Sequence, residues 1–561
     1  MLTSILVANR GEIAARIIRT IHDLGLRAVA IYTPADLDSP AVDLADAAYS
    51  VDSYTQAEQI IAIAQRSGAD AVHPGYGFLS EDPAFATAVH EAGLTWIGPP
   101  PSAITQLGDK ISARRTAEKA GVAPVPGREI ATAADVRDFA RNGFPIVAKK
   151  ADGGGGRGIS ILRDEADLAA FEARYPDLSG IFVEKFVTGR HIETQCMADQ
   201  HGNFAVVSTR DCSVQRRNQK LIEEAPALLE PHIEDTIREW SRALFEESGY
   251  VGLGTCEFIV GEEPYFLEVN PRLQVEHTVT EEITGMDLVQ QQIAIAAGEQ
   301  LTHPPHPRGH SLELRITSED HTLTPSSGTI THLTWPAGHG VRIETGVRHG
   351  DSVSADFDSM IAKLIITGPT RHAAIARARR ALHETAIEGV PNAIPLIKGI
   401  LNSEFAAGPV HARWLEEEFL PGYEAPPSTT SHTEKQGRRS VVVEIDGQRH
   451  TMTMPADLFG QQPSQPRRTV TRSGLQTQAT GEVVSPMQAM VVRVPVTAGQ
   501  TVQEGELLVV LEAMKMEKYI HATLPGTISE VHVAEGNNVA AGAALVTIQP
   551  AEPTKENTNG N

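Results

Sequence analysis

Cysteine is scarce: Cys196, Cys212 and Cys256 are the only three in 561 residues. Their odd number and wide spacing exclude a disulfide framework and a structural zinc site, and fit a reducing compartment. No run of about 18 apolar residues occurs, so no transmembrane helix is expected. The apolar stretch behind Met1 is too short for a signal peptide, and the expected location is the cytoplasm. Positive charge is in deficit, with 48 Lys and Arg against 71 Asp and Glu and a formal net charge of −23. That balance argues against nucleic acid or an anionic membrane as partner. Also missing is a Gly-x-Gly-x-x-Gly turn behind the first strand, which removes the dinucleotide fingerprint. The length is too great for one core, and about 150 residues per domain suggests three or four domains.

What is present begins as an α/β layer. Residues 4–8 read as a buried strand, and Gly11–Ile18 as a helix behind a tight turn. Alternation continues through Ala28–Tyr32, Gln56–Gln65, Ala71–His73 and Trp96–Ile97, which predicts a parallel sheet of βαβ units. A glycine-rich loop, His73-Pro-Gly-Tyr-Gly-Phe-Leu-Ser-Glu81, follows one strand end. A helix is expected over 109–121, and strands Pro145–Lys149 and Gly158–Leu162 bracket Gly153, Gly154, Gly155 and Gly156. Four consecutive glycines let backbone N–H groups crowd together, the requirement for cradling polyphosphate under a mobile lid. Lys149, at the strand end, would reach the phosphates from one side and Lys110 from another.

The stretch Thr255–His277 carries the densest chemistry. Two strands flank Gly-Glu-Glu-Pro at 261–264, and a turn centred between Glu262 and Glu263 sets Glu257 opposite Glu268. Opposed carboxylates with Cβ atoms about 4.5–5.5 Å apart repel unless a cation lies between them. An oxygen-only donor set suits Mg²⁺ (or Mn²⁺) carrying ATP phosphates. Continued alternation would align Asn270, Arg272, Gln274 and Glu276 with Glu268, leaving Val269, Leu273 and Val275 on the other face.

Near the C-terminus, residues 488–511 and 525–548 match at an offset of 37, pairing Val494 with Val531, Gly499 with Gly536 and Leu508 with Leu545. Two β-halves packed face to face are expected, with Lys515 of Glu-Ala-Met-Lys-Met at the connecting turn. Pro421–Gly437 and Gln461–Thr480 read as linkers. Between them, Val441–Ile445 and Arg449–Met452 predict a hairpin over Asp446-Gly447. The last linker, roughly 20 residues, spans on the order of 25 Å as a coil.

These motifs resemble known families. The duplicated segment around Met-Lys-Met is similar to the biotin-attachment domain of biotin-dependent carboxylases, which implies biotin amide-linked to Lys515. Asn9-Arg-Gly-Glu12, His73–Glu81, Gly108-Asp-Lys110 and Glu268-Val-Asn-Pro-Arg-Leu-Gln-Val-Glu-His277 resemble biotin carboxylase, an ATP-grasp enzyme. The implied fold is a parallel α/β N-terminal domain (1–110), an ATP-grasp core with its lid (111–310) and a mixed C-terminal subdomain (311–422). A linker with a small docking hairpin (423–480), an all-β biotinyl domain (481–550) and a tail (551–561) complete it.

The resemblance further implies site residues. Lys110 and Lys149 would contact ATP, Glu184 and Lys185 its adenine edge, and Glu257, Glu268 and Asn270 the metal. Lys220 and Arg272 would hold bicarbonate, Glu276 would remove its proton to allow formation of carboxyphosphate, and Arg342 would stabilise the biotin enolate. His191, Gln215 and Gln274 would complete the site. Asn218 departs from the family, where histidine or an aromatic residue commonly stands. So do Lys150 and Asp152 beside the glycines, and the loop before Arg190 is one residue short. The implied protein is the alpha subunit of an acetyl-/propionyl-CoA carboxylase, a hetero-oligomer with a separate carboxyltransferase beta subunit, loaded by biotin protein ligase. Three alternatives stay open: the carboxylase module of a pyruvate or urea carboxylase, an ATP-grasp ligase fused to a lipoyl-type carrier, and a non-catalytic scaffold.

Overall fold

The computed structural model describes residues 2–150, 159–175, 181–319, 324–354, 357–424, 438–445, 448–455, 482–485, 489–503, 505–513, 516–539 and 542–550. Gly153–Gly156, Lys515, most of both linkers and the tail lie outside the described residues. One compact unit is Met1–Glu424, and a second is built from Ala425–Glu512 and Lys518–Asn561.

Within the first unit the expected parallel sheet is present, with strands ordered Ala47–Ser50, Arg27–Tyr32, Ser4–Val7, Ala71–His73 and Thr95–Trp96. Ser4–Val7 is buried throughout, as a central parallel strand covered on both faces must be. Ile13, Ile17, Ile18 and Ile21 of helix Gly11–Asp23 supply one cover. The edge strand Ala47–Ser50, Ala-Ala-Tyr-Ser with no fully buried residue, carries no apolar run or alternation that would mark it in the sequence. Asn9 donates from Nδ2 to the carbonyls of Pro74 (2.7 Å) and Tyr76 (2.8 Å), pinning the glycine-rich loop. Gly75 is required there: its φ is +63°, and a Cβ would lie 2.9 Å from Asn9 Nδ2.

A second sheet of this unit is four-stranded and antiparallel, ordered Gly127–Ile130, Ile181–Lys185, Ile146–Lys150 and Ile159–Leu162. The pairing of Lys149 with Ile159 makes the glycine run the link of a hairpin, as expected. Behind it an eight-stranded antiparallel sheet runs in the order Pro264–Asn270, Gly252–Val260, Arg190–Ala198, Phe204–Arg216, Gln219–Ala225, His310–Thr317, Met360–Gly368 and Val341–Thr345. This sheet passes without a break from strands before residue 310 to strands beyond it, and helices Pro231–Ser248 and Arg371–Glu384 pack apolar faces onto it.

In the second unit, Arg438–Ile445 and Gln448–Pro455 pair from Arg438 with Pro455 to Ile445 with Gln448, leaving the two positions 446–447 between them. The hairpin extends three residues further at each open end than its apolar centre indicated. The duplicated segment forms two four-stranded antiparallel sheets, each built mainly from one copy. Each copy lends its short strand to the other: Thr501–Val502 pairs with Gly526–Val531, and Asn538–Val539 pairs with Ala489–Arg493. The exchange obeys the 37-residue offset, with Val502 opposite Gly526 and Val539 opposite Ala489. Gly499 and Gly536 take matching φ values of +87° and +86°. Among the described residues no helix is long and apolar enough to cross a membrane.

Candidate active site

Antiparallel register aligns charged residues in file across the large sheet. Glu268 stands opposite Glu257, Glu257 opposite Glu193, and Glu193 opposite Arg210. The Glu257–Glu268 opposition matches the expectation. A bulge follows Glu257, so the turn closes one position earlier than a regular hairpin would, with Val260 opposite Pro264. Arg210, fully buried, donates from Nε to Glu193 Oε2 at 3.0 Å and from Nη1 to Gln195 Oε1 at 2.6 Å. His191 Nε2 lies 2.8 Å from Glu257 Oε2, while Asn270 Nδ2 (2.8 Å) and Gln274 Nε2 (3.1 Å) donate to Glu257 Oε1.

Lys220 ties this row to Glu276. Its Nζ donates to Glu193, to Glu257 Oε1 at 3.2 Å and to Glu276 Oε1 at 2.6 Å. The lysine is delivered by a two-residue turn in which Arg217 and Asn218 have φ of 49° and 61° and Arg216 pairs with Gln219. Two successive left-handed residues define the tight hairpin turn, and asparagine tolerates that region better than most residues with a Cβ, which suits Asn218 to its place. Gln215 is the register partner of Lys220.

The expected alternation beyond Asn270 fails as strand geometry. The strand ends at Asn270, residues 271–276 run as bends and turns, and Glu276 caps helix His277–Thr284. Proline at 271 cannot donate to a ladder, which ends the strand there. The side chains of 270, 274 and 276 nevertheless converge, because the turn folds back over Glu257 and Lys220.

Burial pushes the Glu276 carboxyl up, but Lys220, Arg315 and Arg210 outweigh it and hold it well below the usual carboxylate range. Glu257 is likewise held low: burial opposes ionisation, and Lys220 and His191 overcome it. Glu193 behaves oppositely, pushed up to about 7 by burial and by Glu276 and Glu257 despite Lys220 and Arg210. Burial would discharge Lys220, but Glu193, Glu257 and Glu276 keep it charged well above its ordinary range.

Other sequence-predicted residues sit around this centre. Arg272 donates from Nε to Glu81 Oε1 at 2.5 Å, joining the glycine-rich loop to the site, and from Nη2 to Asn270 Oδ1 at 2.9 Å. Lys149 pairs with Glu184, and burial lowers the Lys110 ammonium near Glu268, Lys149 and Glu184. Lys185 is exposed, with its backbone N–H on Pro126 O at 2.8 Å. Arg342 is grouped with Glu281 (2.9 Å), Glu282 (3.3 Å) and Glu344 (2.8 Å) rather than with Glu276. Sequence reasoning missed Glu193, Glu223, Glu313 and Arg315. The alternation His191, Glu193, Gln195 along one strand was a usable signal for the first.

Models of four families cover the chain. "Biotin carboxylase, N-terminal domain" matches residues 1–104 and "Carbamoyl-phosphate synthase L chain, ATP binding domain" 109–304. "Biotin carboxylase C-terminal domain" matches 313–417 and "Biotin-requiring enzyme" 481–548. The sequence is 43% identical to the biotin-dependent acyl-coenzyme A carboxylase alpha3 subunit of Mycobacterium leprae (strain TN), covering 98% of this chain and 99% of that one. The chain belongs to the alpha subunits of biotin-dependent acyl-CoA carboxylases. It is 35% identical to the mitochondrial methylcrotonoyl-CoA carboxylase subunit alpha of Mus musculus, over 99% of this chain and 94% of the relative. A solved biotin carboxylase domain of Hydrogenobacter thermophilus 2-oxoglutarate carboxylase, in complex with MgADP, ADP and bicarbonate, is similar at a TM-score of 0.71 and 40% identity, covering 74% of this chain and 98% of that one.

As an acyl-CoA carboxylase alpha subunit, the chain carboxylates biotin on its own carrier domain at the expense of ATP, and its family implies a carboxyltransferase partner. The donor chemistry fits a divalent cation: Glu257 and Glu268 are opposed, Asn270 lies beside them, and Glu268 is half-buried rather than sealed. Two strands that are neighbours in one sheet, Leu507–Ala513 and Met516–His521, bracket Met514 and Lys515 in sequence, which fits the attachment turn of a biotin carrier.

Proposed function

We propose that Glu276 is the base that deprotonates bicarbonate, held ionised by Lys220, and that Lys220 and Arg272 orient the anion. The observation that carries this reading is the position of Lys220 Nζ, 2.6 Å from Glu276 and 3.2 Å from Glu257, so one cation joins the base to a metal carboxylate. Deprotonation lets a bicarbonate oxygen attack the γ-phosphate of ATP, breaking the bond to the β–γ bridging oxygen so that carboxyphosphate forms and ADP leaves. Glu257, Glu268 and Asn270 would hold a magnesium ion, which would neutralise phosphate charge when bound. Lys110 and Lys149 contact the phosphates, Glu184 and Lys185 take the adenine edge, and Gly153–Gly156, outside the described residues, are assigned to the phosphates from the sequence alone. His191, Gln215 and Gln274 support the bicarbonate and biotin side. Arg342, paired with Glu281 and Glu344, faces biotin, the group that carries the carboxyl to the partner chain.

The acyl acceptor in this reading is acetyl- or propionyl-CoA, biotin protein ligase loads Lys515, and the holoenzyme is a cytoplasmic hetero-oligomer. Peptide mass spectrometry after expression with an active biotin ligase is expected to find one biotinylated peptide, at Lys515. Modification at Lys518 instead, or none, would sink the carrier assignment. An acyl-CoA panel with the carboxyltransferase chain present is expected to favour acetyl- or propionyl-CoA over branched substrates.

A further inference from the structure

The large sheet contains a second opposed pair that lies off the row described above. Glu223 of strand Gln219–Ala225 stands directly opposite Glu313 of strand His310–Thr317, and both are fully buried. Carboxylates so opposed, with Cβ atoms about 4.5–5.5 Å apart, repel when both are ionised.

The cations nearby are already engaged. Arg315 donates to Glu223 Oε1 from Nε at 2.5 Å and to Glu276 Oε2 from Nη2 at 3.0 Å. Lys363, opposite Arg315, gives its ammonium to Val275 O at 2.7 Å and pairs with Glu12 at 3.3 Å. Lys220 serves Glu193, Glu257 and Glu276. Glu313 Oε2 receives only the Thr278 hydroxyl among the described residues. Glu223 Oε2 and Glu313 Oε1 are both buried with no hydrogen-bond partner among the described residues. Leaving two ionised oxygens without donors would be costly, and a proton is the smallest group that relieves both at once.

We propose that Glu223 and Glu313 share one proton at neutral pH, so that the pair carries a single charge and Arg315 can neutralise it while still holding Glu276. The two glutamates are thus positioning residues for the proposed base. Burial, together with the neighbouring carboxylates, pushes Glu223 up to about 8 and Glu313 up to about 7 in spite of Arg315 and Lys363, which agrees with a retained proton. Proton loss at higher pH would add a second negative charge beside Arg315 and draw it from Glu276.

The role for Glu276 rests on the proposed function, but the proton content can be read without turnover. Wild-type-minus-variant infrared difference spectra of the full chain at pH 7 are expected to contain a protonated-carboxyl carbonyl band, moved in heavy water, for both Glu223→Gln and Glu313→Gln, on top of whatever Glu193 contributes equally to all three proteins. No difference band in that region for either variant overturns the shared proton. A pair whose folded pKa is raised above the unfolded value of about 4.3 contributes stability below that value and loses it as pH climbs through about 5 to 8. The melting-temperature advantage of wild type over Glu313→Gln should therefore shrink across that window, and a constant offset counts against the proposal. In turnover, the alkaline limb of the bicarbonate-dependent rate should move to higher pH in Glu313→Gln. An unmoved limb with the infrared band intact leaves the proton in place but overturns its link to Glu276.

Discussion

Glu257 with Glu268 and Glu223 with Glu313 share one geometry, two glutamates opposed across antiparallel strands of one sheet, in different surroundings. The first pair joins the edge strand to its neighbour. Glu268 is only half-buried, and Glu257 is supplied with donors from Lys220, His191, Asn270 and Gln274. The second pair lies mid-sheet, sealed from solvent, with one arginine between three carboxylates. Register creates the same repulsion in both places, and what lies within reach decides its relief. An open pair can recruit a cation from solvent, whereas a closed pair depends on groups inside the sheet, Lys220 between Glu193 and Glu257 and, as we propose, a proton between Glu223 and Glu313.

The strongest test of that contrast is Glu276→Gln, since Glu276 is reached from the first pair through Lys220 and from the second through Arg315. A positioned base contributes about 10²–10⁴-fold, and ADP release with saturating MgATP, bicarbonate and free biotin should fall by that factor. Direct nucleotide binding should persist. Wild-type turnover would move the base elsewhere, and loss of ATP binding would make Glu276 structural or a metal ligand.

Next in size, Glu257→Gln or Glu268→Gln should raise the magnesium requirement on the order of 10–100-fold, the range for disturbing groups that organise a metal site. Glu313→Gln should leave that requirement where it is. If a titration of ADP release against Mg²⁺ shows the same displacement for Glu268→Gln and Glu313→Gln, the distinction between open and closed pairs collapses.

The smallest effect concerns the turn that sets Lys220 between the two. Asn218 has a φ of 61°, so Asn218→Ala should cost about 1–2 kcal/mol, the penalty for a left-handed residue with a Cβ. Asn218→Gly should cost less, because glycine accepts that conformation freely. Denaturant unfolding of the two variants separates them, and equal losses would mean that the asparagine side chain rather than the backbone matters.

Much of this was legible in the sequence because alternation and turn chemistry are local. The parallel sheet, the hairpin that opposes Glu257 and Glu268, and the repeat of the carrier all follow from spacing. What failed was non-local or irregular. Pairing of Glu223 with Glu313 joins strands about 90 positions apart, which no local pattern encodes. The strand stops at Asn270, yet the 274 and 276 side chains still converge on Glu257 and Lys220, through a turn and not through the alternation that spacing indicates. Strand exchange in the carrier moves one short strand of each copy into the other's sheet without disturbing the 37-residue repeat, so periodicity alone does not encode it.

That exchange gives the carrier the logic of a homodimer written into one chain. A single copy would leave its short strand without a host and could satisfy it only on a second copy, as in a two-fold assembly. The 37-residue offset carries strand Leu507–Ala513 onto strand Ala544–Pro550. Glu482, where the tether gives way to the domain, pairs with Thr547, so the tether enters along the strand that repeats Leu507–Ala513 and not along Leu507–Ala513 itself.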